Sequence, residues 1–198
     1  MGRSSPAKGA SMFKKALFLS LFSFPAFASD VPPAMSQYIY NDLMSWVNDA
    51  RIVAAVTEQN QRTQELSESD VLAQDNLWRA EVGSGASPMI DAVVNAPLAD
   101  FLRQHLSTSG GRITEVIVMD HKGLNVAASD VTSDYWQGDE AKYQETFLKG
   151  SGAVFIDAIE LDQSTQKYQG QVSFSITDPA SGNVIGAITV GLDASAFF

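Results

Sequence analysis

Residues 133–140, Ser-Asp-Tyr-Trp-Gln-Gly-Asp-Glu, set Tyr135 and Trp136 side by side between Asp134 and the Gly138-Asp139-Glu140 step. Ring faces beside carboxylates attract amines and quaternary ammonium groups, each ring contributing about 0.5 to 2 kcal/mol. The same two residues can instead close a hydrophobic core with their polar tips in water. Other patterns that carry chemistry fail on their context. Ser164-Thr165-Gln166-Lys167 has the S-x-x-K spacing of penicillin-binding enzymes and Ser181-Gly182-Asn183 supplies an S-x-N. Both fall in polar turns, no K-T-G follows, and that chemistry needs its serine at a buried helix start. Asp130-x-Thr132-x-Asp134 opens like a calcium loop, yet Tyr135 stands where the loop needs glycine and Ala141 where it needs glutamate. His105 and His121, in a chain without cysteine, do not make a zinc site. No G-x-S-x-G and no phosphate-cradling glycine loop is present. The sequence therefore points to no catalytic residue, no metal and no cofactor, and to a binding protein in place of an enzyme.

The elements that must hold the aromatic pair are legible on either side of it. Ile39, Leu43, Trp46, Ala50, Val53 and Thr57 recur every three or four residues, which predicts one long amphipathic helix that turns polar through residues 58–65. Ser67 or Ser69 opens a second helix ahead of Val71 and Trp78, and Gly83-Ser84-Gly85 breaks the chain. Pro88 suits a first helical turn, and two short helices over 89–94 and 98–106 are split at Pro97. Past Arg112 the period becomes that of strands: 113–119 and 124–128 form a hairpin around Asp120-His121-Lys122-Gly123. A short helix over about 139–148 follows, then strands over 153–161, 169–177 and 184–192. Polar turns part these strands, among them Asp178-Pro179 and Ser181-Gly182-Asn183. The order implies an α+β domain with a mainly antiparallel five-stranded sheet and helices on one face.

Composition bounds the partners. Met12-Phe13-Lys14-Lys15, the apolar run 16–24 and Ala26-Phe27-Ala28 read as an export signal cleaved after Ala28, too short to span a bilayer. Residues 1–11 are an upstream extension, and 29–198 is a single domain. The leader holds 4 of the 13 basic residues and no acid, so 9 basic residues face 23 acidic ones, a net charge of −14. Such a surface repels nucleic acid and anionic membranes. Absence of cysteine fits a bacterial periplasm.

Three features together resemble the Cache (PDC) domains, PAS-like extracellular sensors of bacterial chemoreceptors and histidine kinases. These are the long N-terminal helix, the strand-turn-strand phrase 116–129 with its Asp-x-x-Gly turn, and the closing strand 184–193. The resemblance implies reversible small-molecule binding over the sheet, under the segment Ser129 to Glu140. By position it makes Tyr135 and Trp136 the aromatic wall and Asp157 the polar anchor, with Ser129, Asp134 and Tyr143 as further ligand contacts. Family members usually stand between two membrane helices; this chain closes at Ala196-Phe197-Phe198. That implies a stand-alone periplasmic form reporting to a separate membrane histidine kinase or chemoreceptor. Because Arg112 is the last arginine, the sheet half is poor in anion grips, which favours an amine or neutral heterocycle over a carboxylate. The alternative is a ligand-free interaction module, including a homodimer through Ile39, Leu43 and Trp46.

Overall fold

The structure, a computed structural model, describes residues 1, 31–162 and 167–198. The expected export signal and Ser164 of the S-x-x-K pattern lie outside the described residues. Among the described residues five α-helices come first: α1 (Pro33–Asn41), α2 (Ala50–Thr63), α3 (Glu68–Glu81), α4 (Pro88–Val94) and α5 (Pro97–Thr108). The strands are β1 (Ile113–Met119), β2 (Asn125–Ala128), then, past α6 (Ala141–Gln144), β3 (Val154–Ile156), β4 (Glu160–Asp162), β5 (Lys167–Thr177) and β6 (Val184–Asp193). The sheet is antiparallel throughout, in the order β2-β1-β6-β5-β3, with β4 pairing farther along β5. Among the described residues no helix is long and apolar enough to cross a membrane.

Local chemistry explains most boundaries. The Ser67 hydroxyl accepts from the Asp70 N–H while the Asp70 carboxylate accepts from the Ser67 N–H, a capping box that starts α3. Pro88 and Pro97 sit in the first turns of α4 and α5. The long N-terminal helix expected from periodicity is broken instead. α1 stops at Asn41, Leu43–Ser45 make a 3-10 turn, and the Asp49 carboxylate caps a new helix by accepting from the Arg51 N–H at 2.9 Å. The break lets Ile39, Leu43, Trp46 and Val47 all reach the core, with Ile39 and Leu43 fully buried. They are thus unavailable as the self-association stripe expected of them. The expected third strand is likewise split, because the Asp157 carboxylate turns back to the Ala158 N–H at 2.8 Å and the chain leaves the ladder between β3 and β4.

Period-two alternation sorts the sheet. Val116, Val118, Val172, Phe174, Ile188, Val190 and Leu192 face α1, α2 and α5 in the main core. Ile117, Met119 and Ala187 face the other way, where Tyr143 and Phe147 stack at 5.0 Å, so α6 covers the face opposite the main helices. The expectation of helices on one face alone is corrected accordingly. A second cluster joins Val71 and Trp78 of α3, Ile90 and Val93 of α4, and Leu124 and Ala128 to Tyr135.

Candidate functional site

The aromatic loop is fixed in place by α3. Asp75 and Trp78 lie one turn apart on its buried face. One oxygen of Asp75 accepts from the Tyr135 and Trp136 N–H groups at 2.9 and 3.0 Å, and the other accepts from Arg79 at 2.8 Å. The Trp78 indole donates to the Thr132 carbonyl at 2.9 Å, and its ring stacks on Tyr135 with centroids 5.6 Å apart. The Asn125 N–H closes the cage by donating to the Tyr135 carbonyl. Adjacent residues of an extended segment point to opposite sides, so the pair divides. Trp136 turns to the β1–β2 hairpin, where its indole donates to the Lys122 carbonyl at 2.9 Å. Its ring lies against Gly138, where a Cβ would come within 2.3 Å of the indole nitrogen. Tyr135 turns the other way.

There it borders a cavity of about 660 Å³ enclosed by α2, α4, α5 and Val126 of β2. Met89, Val93, Leu98 and Phe101 supply an apolar wall. α2 supplies the polar one: Arg51, Ala55, Glu58 and Arg62, spaced four, three and four apart, share one face of the helix. Arg51 is held by Asp49 through two bonds of 2.8 and 3.0 Å and lies 3.8 Å over the Phe101 ring. That bond and the Arg51 N–H hold the Asp49 carboxyl at about 2. Arg62 pairs with Glu58 at 2.5 Å. The cavity rim therefore carries both signs of charge.

The floor is a polar chain. Burial, reinforced by the nearby Asp120 charge, pushes the Tyr135 phenol up to about 12, while a hydrogen bond with the Gln59 side chain works in the opposite direction. Gln59 is buried; its amide donates to Asp120 at 3.3 Å and to the Asn125 carbonyl at 3.2 Å. Asp120 has no exposure and also accepts from Thr63 at 2.8 Å and from the Lys122 and Leu124 N–H groups. Four donors satisfy its charge without a cation, the arrangement a buried carboxylate requires. Gly123 completes the turn at φ +82°, with Gly138 so close that a Cβ would lie 2.6 Å from its Cα. One continuous set of bonds thus runs from the cavity floor to the hairpin turn.

Of the residues the resemblance designated, the structure places Tyr135 alone on this cavity. Trp136 is spent on the hairpin. Ser129 accepts from the Val116 N–H at 2.9 Å and ties β2 to β1. Asp134 pairs with Arg79 at 3.3 Å and accepts from Gln137 at 2.8 Å. Tyr143 donates to the His121 carbonyl at 2.6 Å beneath α6. Asp157 is exposed at the end of β3 and borders a separate groove with Glu115 and Glu160. Sequence reasoning missed Arg51, Glu58, Gln59 and Arg62. The signal for them is their spacing, which puts Arg51, Glu58 and Arg62 on one face of α2, outside the arginine-poor sheet half. With Arg51 and Arg62 at the rim, the ground for disfavouring a carboxylate ligand falls away. No group of His, Asp or Glu able to hold a metal exists among the described residues.

No protein-family model and no curated protein matches the chain. Among solved structures it is similar to the sensory domain of the Campylobacter jejuni chemoreceptor Tlp3, at 17% identity and TM-score 0.41 over 81% of this chain and 64% of that one. It is also similar to the ligand-binding domain of the Pseudomonas aeruginosa amino acid chemoreceptor PctC in complex with GABA, at 10% identity and TM-score 0.42 over 80% and 63%. A third is the Vibrio cholerae histidine kinase DctB sensor domain, at 15% identity and TM-score 0.36 over 74% and 59%. The chain spans less than two thirds of the length of each. These neighbours are sensor domains of chemoreceptors and a histidine kinase.

Proposed function

We propose that this chain is a non-enzymatic small-molecule sensor of the periplasm that hands its signal to a separate membrane histidine kinase or chemoreceptor. The cavity beside Tyr135 carries the reading. Its volume suits a small organic molecule, its wall is apolar, and a few polar groups converge at rim and floor, the usual make-up of a ligand site. An arginine fork grips a carboxylate and the Glu58 carboxylate an amine, so the ligand has an apolar body and at least one charged end. Its arrival would move α2, and Gln59, Asn60 and Thr63 would carry that movement to the hairpin turn, where Asn60 accepts from the His121 N–H at 2.9 Å. The shift is set by the ligand's differential affinity for the two positions of the helix.

Binding raises the melting temperature by mass action. A thermal-shift panel of amines, amino acids, carboxylates and nucleobases is expected to give a hit that Tyr135→Ala and Arg51→Gln weaken. A folded sample that no compound stabilises would instead favour an interaction module. The exposed Tyr40, near the end of α1, and Met44, in the 3-10 turn that follows, are the observation in favour of that second reading.

A further inference from the structure

α5 runs from the cavity just described, at Leu98 and Phe101, to a second recess at Thr108 and Ser109. There Gly110 and Gly111, at φ +67° and +82°, turn the chain into β1 and set Arg112 back over the helix end. Its guanidinium donates to the Ser109 carbonyl at 3.2 Å and lies 5.6 Å from the Tyr38 ring and 5.9 Å from the Phe197 ring. Every other arginine among the described residues has a carboxylate partner: Arg51, Arg62, Arg79 and Arg103 are each ion-paired. Arg112 has none.

Asp42, just past α1, likewise has no ion-pair partner among the described residues. Two adjoining clefts, of about 490 and 320 Å³, are both lined by Tyr38, Asn41, Asp42 and Arg112. A guanidinium with open donors and a carboxylate with open lone pairs face the same space without meeting. An anion alone would be repelled by Asp42 and a cation alone by Arg112. A molecule carrying both charges satisfies both. We propose that this recess is a second binding site, distinct from the Tyr135 cavity, for a small zwitterion with its carboxylate on Arg112 and its ammonium on Asp42. The Asn41 amide and the Tyr38 ring line the space between the two charges.

The test is a titration followed by amide NMR at low salt, with β-alanine, γ-aminobutyrate and ε-aminocaproate as zwitterions of increasing charge separation, and butyrate and butylamine as single-charge controls. At least one zwitterion is expected to bind about tenfold or more tighter than either control. Its shifts should centre on residues 38–42 and 109–113. Arg112→Gln and Asp42→Asn, both at exposed positions and each checked for an unchanged melting temperature, should each abolish the preference. Equal affinity for all five compounds, shifts centred elsewhere, or a preference that survives both variants would overturn the proposal. Binding at the Tyr135 cavity moves different amides, so the two sites fail or succeed separately.

Discussion

The two faces of the sheet differ in charge and in how they are covered. On the helical face, α2 carries Arg51 and Arg62 to the rim of a cavity walled by Met89, Val93 and Phe101 and floored by Tyr135 and Gln59. On the opposite face, Glu115, Asp157 and Glu160 border a groove with no basic residue among the described residues that line it. In a chain of net charge −10, the rim sets Arg51 and Arg62 beside their partners Asp49 and Glu58, so this cleft offers charge of both signs. The groove with Asp157 has acid but no apolar wall of comparable size. The helical face combines charged groups with an apolar wall, the usual make-up of a ligand site.

The contrast is sharpest in stability. Asp75→Ala leaves the buried Tyr135 N–H and the part-buried Trp136 N–H without their acceptor and takes from Arg79 its shorter ion pair, and should cost about 3 kcal/mol or more. Asp157→Ala should stay within about 0.5 kcal/mol, since the residue is exposed and, among the described residues, its carboxylate reaches only its neighbour's N–H. Urea unfolding of the two variants measures the difference directly. Gly123→Ala comes next, at about 2 kcal/mol, because a side chain there meets both a left-handed backbone and the Gly138 Cα.

For a carboxylate ligand of the cavity, Arg51→Gln should lower affinity about tenfold, read by calorimetry. Glu115→Gln, on the opposite face, should leave it unchanged.

The smallest effect concerns pH. Burial is the first cause that lowers the pKa of His105 and of His121. A histidine whose folded value lies below its unfolded one binds fewer protons when folded, so its contribution is complete above pH about 6.5 and is lost as pH falls through the folded values. The melting temperature should therefore decline modestly between about pH 7 and 5, and His121→Gln should flatten part of that decline.

What the sequence made legible was what local chemistry decides. Ser67 with Asp70, Pro88, Pro97 and the Asp120–Gly123 turn fix their own backbone through side-chain caps, a fixed φ or a missing Cβ, and each boundary falls where those residues imply. The break between Asn41 and Ala50 escaped because the hydrophobic spacing runs on across it, while α1 ends at Asn41 and the Asp49 carboxylate starts a new helix at the Arg51 N–H. The site was less legible still. Tyr135 is named by its loop, but its partners Arg51, Gln59 and Arg62 come from a helix more than 70 residues earlier, joined to it only by packing. Trp136 looked equivalent to its neighbour, and the alternation of an extended segment sent it to Lys122 instead.

The most direct test fills the cavity. Ala92 is an exposed position of α4 on the cavity lining, so Ala92→Phe should place a ring in the space while leaving the core untouched. Calorimetric titration of the strongest panel compound into the parent chain and into Ala92→Phe should show saturable binding in the first and a loss of about tenfold or more in the second, at equal melting temperature. Undiminished binding by the filled variant would contradict the cavity as the ligand site.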